Sequence, residues 1–199
     1  MAPPHCTETE AFVRRRRAKI HLTRTSQRIL LGVARKAIVA NVLQKPAPRF
    51  RTLSPELNQT RGTFVSIHRG HKLRGCIGIV HSTKPLILLV SNVARAACDQ
   101  DPRFHPVRPE ELPDLQVEVS VLSQLKRVTL LDQIKSGEHG LLIRKQTHQG
   151  LLLPQVAARY HWDTITFLEN ACTKAQLPKH AWQSRECEIY VFFALVFRE

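Results

Sequence analysis

Hydrophobic positions divide the chain into alternating helical and extended stretches. Leu30, Leu31, Ala34, Ala37, Ile38 and Val42 recur at helical spacing behind a cap at Thr25 or Ser26, which predicts a helix from about residue 23 to 42. Gln44-Lys45-Pro46-Ala47-Pro48 then marks a linker. Residues 62–80 read as a β-hairpin: a β-rich run from Gly62 to His68, a turn at Arg69-Gly70-His71-Lys72, and a return strand from Leu73 to Val80. Ser82 or Thr83 caps the next helix, with Pro85 in its first turn and Leu86, Leu89, Val90, Val93 and Ala97 as its apolar stripe. It ends near Asp101-Pro102, because the residue before proline resists the helical region.

Leu115–Leu122 alternates most cleanly, with Leu115, Val117, Val119 and Val121 on one face and Gln116, Glu118 and Ser120 on the other. Gly140–Arg144 and Leu151–Leu153 flank a polar turn and read as a second hairpin. A short helix starts at Pro154, and a longer one follows a cap at Asp163, with Ile165, Leu168, Cys172 and Ala175 inward. Glu188–Phe197 is a final apolar strand. Hairpins and helices mix without strict βαβ alternation, so an α+β fold with a largely antiparallel sheet fits best. Hairpin–helix–strand occurs at 62–122 and again at 140–197, a similarity of shape with no residue-level repeat behind it.

The chain has 199 residues, 43% of them hydrophobic, enough for one packed domain without metal or disulfide. It contains no apolar run of 18 residues, which excludes a helical membrane span, and no signal peptide. The five cysteines are scattered with no CxxC pair, so a disulfide scaffold and a Cys-rich zinc site are not expected, and a reducing cytoplasm is the default. The net charge of +14 is uneven: residues 1–51 carry +10, densest at Arg14-Arg15-Arg16-Arg17 and Lys19. Residues 1–20 therefore read as a flexible basic arm. Such an arm is either simply solvated or contacts nucleic-acid phosphates through residues 14–19.

The segment that carries chemistry is Leu73-Arg74-Gly75-Cys76-Ile77-Gly78. Alternation along a regular strand places Arg74, Cys76 and Gly78 on one face. A guanidinium beside a thiol favours the thiolate, and Gly78 is expected to leave open space beside the sulfur. Cys76 and Arg74 are thus candidate catalytic residues, with Glu118 and His139 as base candidates. Gly75, Gly78, Arg103 and Ser120 are candidate ligand contacts, Arg103 because its fork matches carboxylate or phosphate. The alternative is that Gly75 and Gly78 merely let the following helix pack closely on the strand, with Cys76 a small buried hydrophobe. The hairpin register leaves either Val65 or Phe64 opposite Cys76, the latter bringing Ser66 and His68 to its face. Asp101 and Pro102 read as turn residues, with Phe104 dipping into the core. The ten histidines show no tight ligand spacing, so neither a metal nor a cofactor is expected.

At these residues the chain resembles the AMMECR family, whose prokaryotic members are called AmmeMemoRadiSam system protein A. The resemblance rests on Leu73-Arg-Gly-Cys-Ile-Gly78, Asp101-Pro-Arg-Phe104, Glu110-Glu111-Leu112 with Pro113-Asp114-Leu115, and Glu118-Val-Ser-Val-Leu122. It continues through Gly137-Glu-His-Gly140, Leu153-Pro-Gln-Val156, Trp162-Asp163, Phe167-Leu168, Cys172-Thr-Lys-Ala175 and Trp182. It spans about residues 22–197 and leaves the arm at 1–20 outside. One departure is Gln176, where the family usually has glycine; it is expected to alter a helix end and no chemistry. The resemblance implies a barrel-like antiparallel sheet built from two similar halves, with flanking helices and a cleft near Leu73–Gly78. It implies no settled reaction. The family's name implies a Memo-like protein and a radical-SAM enzyme as partners, an associational warrant. Two functions follow as expectations: an enzyme or enzyme component using Cys76, or a non-catalytic adaptor working through the basic arm. A monomer or homodimer is expected.

Overall fold

The structure is a computed structural model and describes residues 20–199, so Arg14–Arg17 and Lys19 lie outside the described residues. In chain order the elements are α1 (Arg24–Val42), α2 (Pro55–Asn58), β1 (Thr63–Arg69), β2 (Lys72–Ile79), α3 (Leu86–Asp99), β3 (Leu115–Leu122), β4 (Lys126–Val128), β5 (Gly140–Lys145), β6 (His148–Leu152), α4 (Pro154–Tyr160), α5 (Thr164–Lys174), β7 (Glu188–Phe192) and β8 (Ala194–Arg198). They fall into two units, residues 21–122 with 195–199, and residues 123–194.

The fold is α+β, with two four-stranded antiparallel sheets rather than one closed barrel. Their orders are β2-β1-β3-β8 and β6-β5-β7-β4. The two orders match: second hairpin strand, first hairpin strand, the strand after the helices, then an outer strand. The halves also share a packing device. Gly75 of β2 pairs with Ile67, and a Cβ there would stand 2.2 Å from the Ala97 carbonyl oxygen of α3. Gly150 of β6 pairs with Ile143, and its Cβ would stand 2.4 Å from the Ala175 amide nitrogen at the end of α5. In each half a glycine opposite an isoleucine lets helix backbone settle onto the sheet.

In the first unit, Val65, Ile67, Val117, Val119 and Val121 are fully buried on the helical side of the sheet, against α1 and α3. Leu30, Ile38, Leu89, Val90 and Val93 complete that core. Each such side chain contributes about 1.5–3 kcal/mol over its exposed state. In the second unit, Leu141, Ile143 and Val191 pack on Phe167, Leu168, Ala171 and Cys172 of α5.

The helix ends follow local chemistry. α1 is capped by Thr23, whose Oγ1 accepts from the Ser26 amide at 3.2 Å, so the cap precedes the expected Thr25 or Ser26. α3 begins after Pro85 with no side-chain cap, not at Ser82 or Thr83. Asp163 caps α5 as expected, accepting from the Thr166 amide at 2.7 Å. α5 closes in a Schellman motif, with the Leu177 amide donating to Cys172 O (2.9 Å) and the Gln176 amide to Thr173 O (3.0 Å). Gln176 takes φ +60°, the left-handed position that glycine favours, so the departure at Gln176 does fall on a helix end.

The final apolar run is two strands. Phe193 interrupts it, its amide donating to Ser123 Oγ and its carbonyl accepting from the Ser123 amide, both at 2.9 Å. Those bonds occupy the groups that would continue the ladder, so β7 stays in one sheet and β8 joins the other.

Candidate functional site

β2 is the edge strand of the first sheet, and its register carries the site. Gly70 (φ +57°) and His71 form a two-residue turn, leaving Arg69 opposite Lys72 and His68 opposite Leu73. The ladder then shifts, so Ile67 faces Gly75 and Ser66 faces Cys76. Arg74 is the extra residue of a β-bulge. Both expected registers, with Val65 or Phe64 opposite Cys76, are therefore corrected: a bulge re-aims side chains that strict alternation would align.

The bulge removes Arg74 from the thiol. Its Nε and Nη2 grip Glu111 in a fork at 2.7 and 2.9 Å, and Nη1 and Nη2 donate to His105 O and Pro106 O at 2.9 and 3.1 Å. Both partners are mostly buried, and the fork holds the Glu111 carboxyl down to about 2. Arg74 thus ties the loop before the Pro109–Asp114 turn to β2, and the expected thiolate-priming role of Arg74 is corrected.

A different arginine stands beside the cysteine. The edge amide of Cys76 donates to Asp101 Oδ2 at 2.8 Å. Asp101 is only 4% exposed and also accepts from the Arg103 amide, Nε and Nη2 at 3.2, 2.9 and 2.7 Å. The Arg103 guanidinium, followed by the Cys76 and Arg103 amides, brings the Asp101 carboxyl down to about 2. Arg103 Nη2 reaches toward the Cys76 carbonyl at 3.5 Å, and its guanidinium lies 5.3 Å from the Phe104 ring centre. Asp101 is therefore more than a turn residue: it satisfies the free edge of β2 and aims Arg103.

Cys76 itself is half-buried. Ser66 Oγ donates to its Sγ at 3.2 Å. Loss of solvent pushes the thiol pKa up; the Ser66 bond and Arg103 pull it down, while Asp101 and Glu118 push it further up. The net direction is upward, so the resting sulfur is a neutral thiol. Ser66 also pairs with Glu118 of β3, which places Cys76, Ser66 and Glu118 in one row across three strands. The next row runs Gly78, Phe64, Ser120. A Cβ at Gly78 would meet the Phe64 ring at 2.0 Å, so an aromatic ring fills the space expected beside the sulfur. Gly75 faces the opposite side, toward α3, and the close packing of helix on strand holds for it.

Comparisons with known proteins place the chain in a family. The AMMECR1 family model matches residues 31–197. The chain belongs to the AMMECR1 family. It is 40% identical to "Protein MK0488" of Methanopyrus kandleri over 187 residues, 89% of this chain and 90% of that one. It is 39% identical to a protein of Methanothermobacter thermautotrophicus over 185 residues, 89% and 96% of the two chains. The crystal structure of the uncharacterized protein PH0010 from Pyrococcus horikoshii superposes with a TM-score of 0.80 at 36% identity, covering 85% of this chain and 89% of that one.

Within the AMMECR1 chain the remaining candidates separate. Ser120 is 1% exposed in the second row. His139 belongs to the other unit, where it is 9% exposed; its Nδ1 accepts from the Lys135 amide at 3.1 Å and its ring stands edge-on to Phe193. Burial lowers its pKa, so it is a neutral imidazole with the proton on Nε2. Among the described residues, no group of three His, Cys, Asp or Glu side chains is placed to hold a metal. No described helix is long and apolar enough to cross a membrane, and Cys76, Cys98, Cys172 and Cys187 are free. Sequence reasoning passed over Asp101 and Glu111 as anchors. Asp101 bonds the Cys76 amide across 25 residues and Glu111 bonds Arg74 across 37, separations that leave no local pattern.

Proposed function

We propose that this AMMECR1-family protein is an enzyme or enzyme component whose ligand meets the row Cys76–Ser66–Glu118. The carrying observation is the bulged register, which sets a thiol, a hydroxyl and a carboxylate side by side on adjacent strands. Cys76 rests as a neutral thiol. Its reactivity therefore needs a base at the moment of use, and Glu118 is the carboxylate in the same row, with the Ser66 hydroxyl between them. Arg103, half exposed and fixed by Asp101, supplies the positive charge for an anionic ligand. Gly75 and Gly78 support this site through packing, and Ser120 lines its second row. Arg74 acts here only by positioning the edge strand. His139 remains a base candidate on chemical type, without a contact that supports it. A Memo-like protein and a radical-SAM enzyme are the proposed partners, on the strength of the family resemblance alone, and a reducing cytoplasm suits a working free thiol.

Alkylation of the native protein by iodoacetamide, followed peptide by peptide across pH 6–10, tests the reading. We expect Cys76 to react before Cys98, Cys172 and Cys187. Its apparent pKa should fall in E118Q, which removes a negative neighbour, and rise in R103Q. A Cys76 that ignores the reagent until the chain is denatured would sink the thiol-based function.

A further inference from the structure

We propose a second binding site, for single-stranded nucleic acid, in the groove between the linker after α1 and the outer face of α3. The groove encloses about 560 Å³ and is lined by Arg49, Phe50, Arg51, Leu88, Asn92 and Arg95, with no acidic residue in its wall. It lies in the first unit, on the solvent side of α3. The Cys76 row lies across the sheet from that helix, so this site is independent of the thiol chemistry.

Three observations fix the chemical class. First, charge: among the described residues neither Arg49, Arg51 nor Arg95 forms an ion pair with a carboxylate. Arg95 is held instead by an amide, its Nε donating to Asn41 Oδ1 at 3.3 Å, while Asn41 Nδ2 donates to Asp99 at 3.0 Å. That bond orients the guanidinium and leaves its outer donors available. Second, the half-buried Phe50 ring stands between Arg49 and Arg51 in sequence and lines the same groove. Alternating guanidiniums and an aromatic ring are what a phosphate backbone with splayed bases requires. Third, shape: Pro46 and Pro48 stiffen the wall. The groove has room for a nucleotide or two, whereas a rigid duplex would ride over its rim. An acidic peptide would use the same charges but would gain nothing specific from Phe50.

The test measures binding of a fluorescein-labelled ten-nucleotide oligo(dT) to the full chain by anisotropy, from 50 to 300 mM salt. Three proteins are compared with the native chain: R49Q/R51Q/R95Q, F50A, and the arm variant R14Q/R15Q/R16Q/R17Q. We expect the triple variant to bind at least tenfold more weakly. Its log K against log [salt] slope should drop by about 2, roughly 0.7 per lost phosphate contact. F50A should weaken binding roughly tenfold with the slope unchanged, because stacking is not ionic. Arg49 and Arg51 are exposed and Phe50 and Arg95 half-buried, so matching circular dichroism melts verify the fold of each variant. The proposal is overturned if the groove variants bind like the native chain while the arm variant alone loses affinity. It is equally overturned if F50A is silent and a poly-Glu peptide competes as well as oligo(dT), which would make the groove a site for acidic protein segments.

Discussion

Asp101→Asn isolates the contact that orders the site. The Asp101 carboxyl lies near pH 2 in the folded chain against an ordinary value of 3.8, a depression of roughly two units. Each unit corresponds to about 1.4 kcal/mol, and the half-solvated Arg103 side argues for the low end, so the carboxylate contributes about 2 kcal/mol at neutral pH. A carboxyl depressed by folding stabilises fully above its unfolded value and loses that contribution as pH falls from about 4 toward 2. Asparagine keeps the shape and one acceptor for the Cys76 amide but turns either a neutral oxygen or an NH2 toward Arg103. The gap between native and D101N should therefore be about 2 kcal/mol at pH 7 and nearly vanish close to pH 2. The assay must read the right unit. Both tryptophans and both tyrosines lie within residues 123–194, so fluorescence follows the other half. Hydrogen exchange of peptides covering residues 72–79 reports β2 directly. A gap under about 0.5 kcal/mol at pH 7, or one that stays constant down to pH 2.5, refutes the anchoring role.

Two further substitutions test the packing. G75A drives a Cβ into the Ala97 carbonyl at 2.2 Å, where helix backbone cannot yield, and should cost at least about 2–3 kcal/mol by exchange of the same peptides. The contrasting G32A, exposed in α1 with nothing within 4 Å, should stabilise by about 0.5–1 kcal/mol. Q176G relieves a left-handed residue at the end of α5 and should gain about 0.5–1 kcal/mol, read by the fluorescence of Trp162 and Trp182 in that unit. A loss of stability in Q176G would mean that Gln176 is held there by something stronger than the Schellman closure.

What the chain showed of itself depended on the range over which each signal acts. Periodicity and punctuation are local, so α1, both hairpins, α3, β3 and α5 were readable to within a few residues. β4, three residues long, is too short for alternation to register. The split of the last strand at Phe193 depends on Ser123, 70 residues away, and no window of hydropathy contains it. The two halves were visible as an order of elements but not as a repeated motif. What the halves share is a single glycine opposite an isoleucine, at Gly75 and Gly150, embedded in otherwise different strands.

The site shows the same limit more sharply. Alternation singled out Leu73–Gly78 and placed Arg74 beside the thiol, whereas Arg74 is tied to Glu111 and Arg103 lies beside Cys76. One bulged residue after the turn flips the parity of everything beyond it. Counted from the two-residue turn without the bulge, Arg74 sits beside Cys76 and Ser66 faces away. Counted with it, Arg74 swings to Glu111 and Ser66 becomes the cysteine's neighbour. Arg103, 27 residues downstream, takes the place at the thiol because a buried aspartate fixes the edge amide and the guanidinium together. The chemistry follows from that exchange. With Arg74 alongside, a guanidinium unshared with Asp101 would pull the thiol pKa down. With Arg103 shared with Asp101, and Glu118 across Ser66 in the same row, it rests as a protonated thiol.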